Sequence, residues 1–300
     1  MTVDDAVRRA AERLSAAGVP DATWDAELLL RHVLGWDRAA LAGRIRERLP
    51  DDPRARFDAL VQERARRRPL QHLTGVQAFW RHDFLVTPDV LIPRPESELL
   101  VEAALDLLAD RHAPVIVDVG TGTGCLALSL AAERPDAVVH AIDISPAALA
   151  VARENARRLG LGGRVELHEG DLLGAVAALR GALDLVVSNP PYVDPAEIGT
   201  LQPEVRDHEP RAALLAPEPP YGIYRRLTAQ AVAGLRPGGH LVLEVGRGMA
   251  AEVAGLCRTA GLTVTGSRRD LGGTERVVIA RTLPPKQAEA PTASARQAID

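Results

Sequence analysis

Residues 115–124 read Val-Ile-Val-Asp-Val-Gly-Thr-Gly-Thr-Gly. The first five are almost wholly β-branched and apolar, without polar alternation. That pattern suits a strand buried on both faces, as in a parallel sheet. Gly120, Gly122 and Gly124 then permit a tight turn and let a ligand approach the backbone. A helix from Cys125 to Ala132 follows, aiming its N-terminal N–H groups at that ligand. Asp118 lies at the strand end. Asp143 lies 19 residues beyond Gly124, placed to accept both hydroxyl protons of a ribose.

Outward from this loop, strand and helix patterns alternate. Apolar runs at Val138–Ile142, Val165–His168, Leu183–Val187 and His240–Glu244 read as further strands, mostly separated by helical stretches. This predicts a mostly parallel, doubly wound sheet. The last two strands, Leu262–Thr265 and Arg276–Ala280, have no room for a helix between them, so they pair antiparallel. The expected fold is α/β: the class I S-adenosylmethionine-dependent methyltransferase fold, Rossmann-like, with a mostly parallel seven-stranded sheet and an antiparallel final strand.

The glycine loop alone is ambiguous. Gly122, Gly124 and Ala127 also match the G-x-G-x-x-A dinucleotide fingerprint. Two features favour S-adenosylmethionine. One is the extra leading Gly120 with Asp118 before it. The other is Gly170-Asp171-Leu172, placed to frame an adenine, together with Ser188-Asn189-Pro190-Pro191-Tyr192 after the fourth sheet strand. Asp171 also reads as a helix N-cap. Neither proline at the strand end donates an N–H, and each restricts the residue before it. The turn presents one amide and one ring, suited to holding a planar NH2 group; an ordinary strand-ending turn is the plain alternative.

Residues 1–68 read as a helical domain, 69–93 as a β-hairpin linker, 94–282 as the catalytic domain and 283–300 as a disordered tail. The fourth helix is expected to start after an Asp51-Asp52-Pro53 cap, and another helix to run from Glu96 to Ala109. The basic run Arg64–Arg68 reads as a solvated face. A net charge of −4 gives no global basic footprint for nucleic acid. The two cysteines are far apart and no CxxC or Cys/His cluster occurs, so neither metal nor disulfide is expected. No signal peptide is evident and no apolar run approaches the roughly 18 residues of a membrane helix. A soluble cytoplasmic protein is expected.

At this point the chain resembles the peptide chain release factor glutamine methyltransferases (PrmC, also called HemK) over roughly residues 5–282. The resemblance rests on Pro69–Gly75, Phe79-Trp80, Leu91–Glu98, the glycine loop, Ser188–Tyr192, Glu209-Pro210 and Asp270–Arg276. It implies S-adenosylmethionine as cofactor, held by Gly120, Thr121, Gly122, Thr123, Gly124, Asp143, Asp171, Leu172 and Asn189. It implies a substrate, the glutamine of the Gly-Gly-Gln motif in class I release factors, methylated on its side-chain nitrogen and received by Asn189, Pro190, Pro191 and Tyr192. Asn189, Pro190 and Tyr192 are the expected catalytic residues: two carbonyls to accept the amide protons and a ring to pack on the amide plane. The chain departs from the family at Leu172, often aromatic there, and at Glu96-Ser97, more commonly Asp-Thr. The helical domain is expected to recognise the release factor, with the enzyme acting as a monomer. An adenine-N6 DNA or ribosomal RNA methyltransferase is the alternative enzyme. A non-catalytic adaptor is the alternative outside catalysis. Glu209 and Arg211 read as loop salt bridges.

Overall fold

The computed structural model describes residues 1–216, 218 and 220–283. Helix α1 (Val3–Ala16) opens with a capping box: Thr2 Oγ1 accepts from the Asp5 N–H, and Asp5 Oδ2 accepts from the Thr2 N–H, both at 3.1 Å. Helices α2 (Ala22–Leu34), α3 (Arg38–Gly43) and α4 (Asp51–Ala65) follow. Leu14, Leu29, Leu30, Leu41, Phe57 and Val61 close a core of their own. The expected cap on α4 is not formed. The helix already begins at Asp51 behind Pro50, so both aspartates lie in the first turn, where they complement the helix dipole.

A single turn, α5 (Leu70–Thr74), ends on Gly75 and leads into strands β1 (Val76–Phe79) and β2 (His82–Leu85). They pair antiparallel with Phe79 opposite His82. The tight connection puts Trp80 at φ 55°. It is fixed there by its N–H to Glu98 Oε1 at 2.7 Å and its indole N–H to Glu133 Oε1 at 2.8 Å. The expected helix from Glu96 instead starts as a 3-10 turn, Pro95–Ser97, because Pro95 sets a tighter entry, and continues as α6 (Glu98–Leu107).

The sheet comprises β3 (Val115–Val119), β4 (Val138–Asp143), β5 (Val165–Glu169), β6 (Leu183–Ser188), β7 (Leu235–Glu244), β8 (Thr263–Arg269) and β9 (Glu275–Arg281), in the order β5-β4-β3-β6-β7-β9-β8. The final strand, β9, inserts between β7 and β8 and is antiparallel to both. Between strands run α7 (Cys125–Glu133), α8 (Pro146–Arg158), α9 (Pro203–His208), α10 (Arg211–Leu214), α11 (Gly222–Gly234) and α12 (Ala250–Thr259). Residues of α6 and α7 cover one face; α11, α12 and a 3-10 stretch, Leu172–Leu179, cover the other. This is the class I methyltransferase architecture read from the strand pattern. No helix among the described residues is long and apolar enough to cross a membrane.

Two consequences position the site. The strand order reverses at β3, and such sheets bind ligands in the crevice beyond the strand ends at that point. The parallel register sets Val119 opposite Ser188, so Gly120 and Asn189 leave adjacent strands side by side.

The junction with the helices corrects the reading of Arg64–Arg68. Arg64 is buried, not solvated: its Nε lies 2.7 Å from Asp25 Oδ2 and its Nη1 2.9 Å from Glu204 Oε1. Arg67 also grips Glu204, Nη2 to Oε2 at 2.6 Å. A buried acid recruited these arginines; the run alone could not reveal that. Apart from Leu283, the tail expected to be disordered lies outside the described residues.

Candidate active site

The three loop glycines all have positive φ: 75° at Gly120, 55° at Gly122 and 82° at Gly124. Their surroundings differ. A Cβ added at Gly120 or Gly122 would meet nothing within 4 Å among the described residues, so these two border space that those residues leave open. At Gly124 it would meet Leu128 Cδ1 at 3.0 Å and Ala152 Cβ at 3.3 Å, so this glycine lets α7 and α8 pack closely. Thr121 and Asp118 hold the loop from beneath. The Thr121 hydroxyl and the Ala127 N–H donate to Asp118 Oδ2 at 2.6 and 3.2 Å. Burial pushes Asp118 up to about 7. Its Oδ1 is buried without a partner among the described residues.

Asp143 closes β4 beside the loop. Its Oδ2 accepts from the Gly122 N–H and its Oδ1 from the Ser145 N–H, both at 2.9 Å. These bonds lock the carboxylate, and each oxygen keeps a lone pair for a ligand hydroxyl. The Gly170 N–H donates to the Asp143 carbonyl at 3.0 Å, bringing the Gly170–Leu172 turn alongside. Asp171 forms no side-chain helix cap; its exposed carboxylate pairs with Arg226. Leu172 is buried at φ 53°, a conformation disfavoured for a branched residue and held by its packing. Thr123 faces inward, its carbonyl accepting from Asn155 Nδ2 at 2.9 Å. Asn155, which sequence reasoning missed, also bonds both backbone groups of Leu85 and so ties hairpin, α8 and loop together.

The turn after β6 completes the site. Asn189 is half-buried, Pro190 buried, and Pro191 and Tyr192 half-buried. Asn189 Nδ2 donates to Ser97 Oγ at 3.1 Å, and the Ser97 hydroxyl donates to Glu244 Oε2 at 2.5 Å. Ser188 Oγ bonds the Val119 carbonyl at 2.7 Å, clamping the two strand ends. The Tyr192 ring packs so tightly on Gly246 that a Cβ there would lie 3.0 Å from it. Burial, reinforced by Glu244, pushes the phenol up to about 12, so it stays protonated. Burial also pushes Glu244 up to about 7. Ser97 and Glu244 were not recognised as site residues in the sequence. Their signals were a serine within the Pro93–Glu98 motif and a carboxylate ending an apolar strand.

Glu209 forms the salt bridge expected of it, with Arg94 as its partner: Arg94 Nη2 lies 2.5 Å from Oε1, and the Ile92 N–H donates to Oε2 at 3.1 Å. Its carboxylate is buried against these two donors. Away from the glycine loop, a cleft of about 1010 Å3 opens between α2, the hairpin and α9, lined by Trp24, Arg31, Trp36, Gln77, Arg94 and Glu204.

Two family models match: the PrmC N-terminal domain over residues 5–75 and the methyltransferase small domain over residues 95–202. The release factor glutamine methyltransferase of Cereibacter sphaeroides is 46% identical over 281 residues, 94% of this chain and 99% of that one. The protein of the same name from Deinococcus radiodurans is also 46% identical over the same shares. That from Rhodospirillum rubrum is 43% identical over 91% of this chain and 83% of its own. The chain belongs to the release factor glutamine methyltransferase family. Like other members of the release factor glutamine methyltransferases, it is an S-adenosylmethionine-dependent enzyme. The open space beside Gly120 and Gly122 and the locked Asp143 carboxylate suit that cofactor.

Proposed function

We propose that the protein methylates the side-chain nitrogen of the glutamine in the Gly-Gly-Gln motif of class I release factors, in the cytoplasm. The observation that carries this reading is Asn189, turned by Ser97 beside the glycine loop so that its NH2 faces the protein. Its Oδ1 is then the end left for a substrate amide. S-adenosylmethionine, when bound, supplies an electrophilic methyl group on sulfur. The backbone around Gly120–Gly124, with Thr121 and Thr123 pinned inward, would line its site. Asp143 would accept ribose hydroxyls, and the Asp171–Leu172 backbone would border the adenine.

A carboxamide nitrogen is a poor nucleophile because its lone pair is delocalised, and no side chain here is basic enough to deprotonate it. The task is orientation. Asn189 Oδ1 and the Pro190 carbonyl accept the two amide protons and favour a pyramidal nitrogen as positive charge develops. Tyr192, neutral and wedged against Gly246, packs on the amide plane. Holding nitrogen and methyl carbon in line supplies much of the rate. Neither carbonyl retains a proton, so the one lost from nitrogen passes to solvent. The helical layer with the cleft beside α2 and α9 supports docking of the release factor body, with one monomer engaging one substrate.

The test is transfer of labelled methyl to a purified release factor. Label should enter the wild-type factor and be absent when its Gly-Gly-Gln glutamine is replaced by alanine. Equal labelling of both would overturn the reading.

A further inference from the structure

We propose that Ser97 and Glu244 are positioning residues that set the polarity of the Asn189 amide, so that transfer requires the ionised Glu244 carboxylate. This rests on the function proposed above. Ser97 has one hydroxyl proton. Given to Glu244 Oε2 at 2.5 Å, it leaves Ser97 Oγ able only to accept from Asn189. The amide must then turn its NH2 inward and its Oδ1 toward the substrate. A protonated Glu244 reverses the chain: its O–H donates to Ser97, the Ser97 proton turns to Asn189 and the amide flips. An NH2 group then faces an NH2 group, and the substrate proton that Asn189 Oδ1 had accepted loses its acceptor, while the Pro190 carbonyl still holds the other.

The surroundings of Glu244 favour titration in the working range. It is buried at the end of β7. Facing it are Ser97, Arg94 and Glu96 from the approach to α6, Arg276 on β9, Tyr192 and Tyr224, and Cys125 at the start of α7. Desolvation raises its carboxyl most; Ser97 and the two arginines oppose this, and Glu96 adds to it. The Tyr224 hydroxyl is spent on the Glu244 backbone carbonyl at 2.9 Å and does not compete for the side chain.

The experiment is the pH profile of kcat/KM for methyl transfer to a release factor, with cofactor Kd measured in parallel. Wild type should lose activity as pH falls through about 7. Glu244→Gln and Ser97→Ala should lower kcat at least ~10-fold and abolish that acidic limb, leaving cofactor Kd unchanged. Ser97→Thr keeps the hydroxyl and should restore both rate and limb. An acidic limb persisting in Ser97→Ala or Glu244→Gln overturns the proposal, as does its absence from wild type. Asn189→Ala separates the two readings: active Asn189→Ala sinks the proposed function, whereas inactive Asn189→Ala beside an unaltered Ser97→Ala sinks the relay alone.

A different set of distances carries a second inference. We infer that His140, Glu166 and His168 form a zinc-class metal site on the β4–β5 edge. The register sets His140 opposite Glu166, and the two-residue period of β5 puts His168 on the same face. His140 Nδ1 lies 3.0 Å from His168 Nε2 and 3.4 Å from Glu166 Oε2, and His168 Nε2 lies 3.8 Å from that oxygen. A point equidistant from atoms so spaced lies about 2.0 Å from each, and zinc–nitrogen and zinc–carboxylate bonds measure about 2.0–2.2 Å. His140 is buried and its Nε2 has no partner among the described residues, so Nδ1 is the nitrogen engaged with them. Its spacing of 28 residues from His168 hid the site from a search for CxxC-type patterns.

The test is Zn2+ titration of the chelator-stripped full chain against a chromophoric chelator, with Co2+ absorption as a second readout. Wild type should bind one equivalent. His168→Ala and Glu166→Gln, which leave the buried His140 in place, should weaken binding ~10–100-fold and remove the tetrahedral Co2+ band. Equal binding by the variants, an adventitious ion only, or no binding by wild type overturns the inference.

Discussion

At the ends of β3 and β6, Gly120 and Asn189 stand together because two neighbouring strands share one ladder. At the junction of α4 and α9, Arg64 and Glu204 meet across 140 residues through side chains alone. Backbone register places the first pair, so that geometry survives most side-chain changes. The second depends on every buried charge finding its partner. The reacting groups therefore sit on the rigid part of the molecule, while the helical layer is fastened by a more fragile ionic clasp.

The largest effect on stability should come from the clasp. Arg64→Met removes the guanidinium from Asp25, both of them buried, and should cost about 3 kcal/mol in urea denaturation. A loss below about 1 kcal/mol would mean the clasp contributes no more than an exposed pair. The glycine loop gives the next contrast. Gly124→Ala drives a methyl into Leu128 and Ala152 at positive φ and should destabilise by about 2 kcal/mol. Gly122→Ala strains only the backbone, by about 1 kcal/mol, but fills the space beside the loop. Its calorimetric cofactor Kd should rise at least ~10-fold, a change larger than its melting shift implies.

The third contrast is in pH. Folded Asp118 holds its proton to about 7, whereas the unfolded carboxyl releases it near 3.8. The native state thus binds the extra proton between those values. Its contribution is full below the unfolded pKa and fades as pH rises through about 7. Melting temperature should fall from pH 5 to pH 8, and Asp118→Asn should flatten the slope. The smallest effect belongs to Arg157, exposed and paired with Glu154. Arg157→Ala should melt within error of wild type; a clear drop would blur the distinction between exposed and buried pairs.

The same contrast explains what the sequence made legible. The glycine loop, the Asn189–Tyr192 turn and all seven of the sheet strands announce themselves through local composition. Register then brings them together, because parallel strands joined by crossovers align their carboxyl ends. Arg64 was misread because a helical basic run looks alike on a solvated face and against a buried acid. Ser97, Glu244 and Asn155 were missed for a related reason. Each is an ordinary polar residue until a partner tens of residues away is folded against it. His140 and His168 gave no motif because the β4–β5 pairing, not chain spacing, sets their separation.

The most direct measurement is single-turnover methyl transfer by Asn189→Ala, with cofactor affinity determined by calorimetry on the same preparation. The account predicts a fall of about 10²–10³ in the transfer rate at near-normal cofactor affinity. Transfer at the wild-type rate would contradict it.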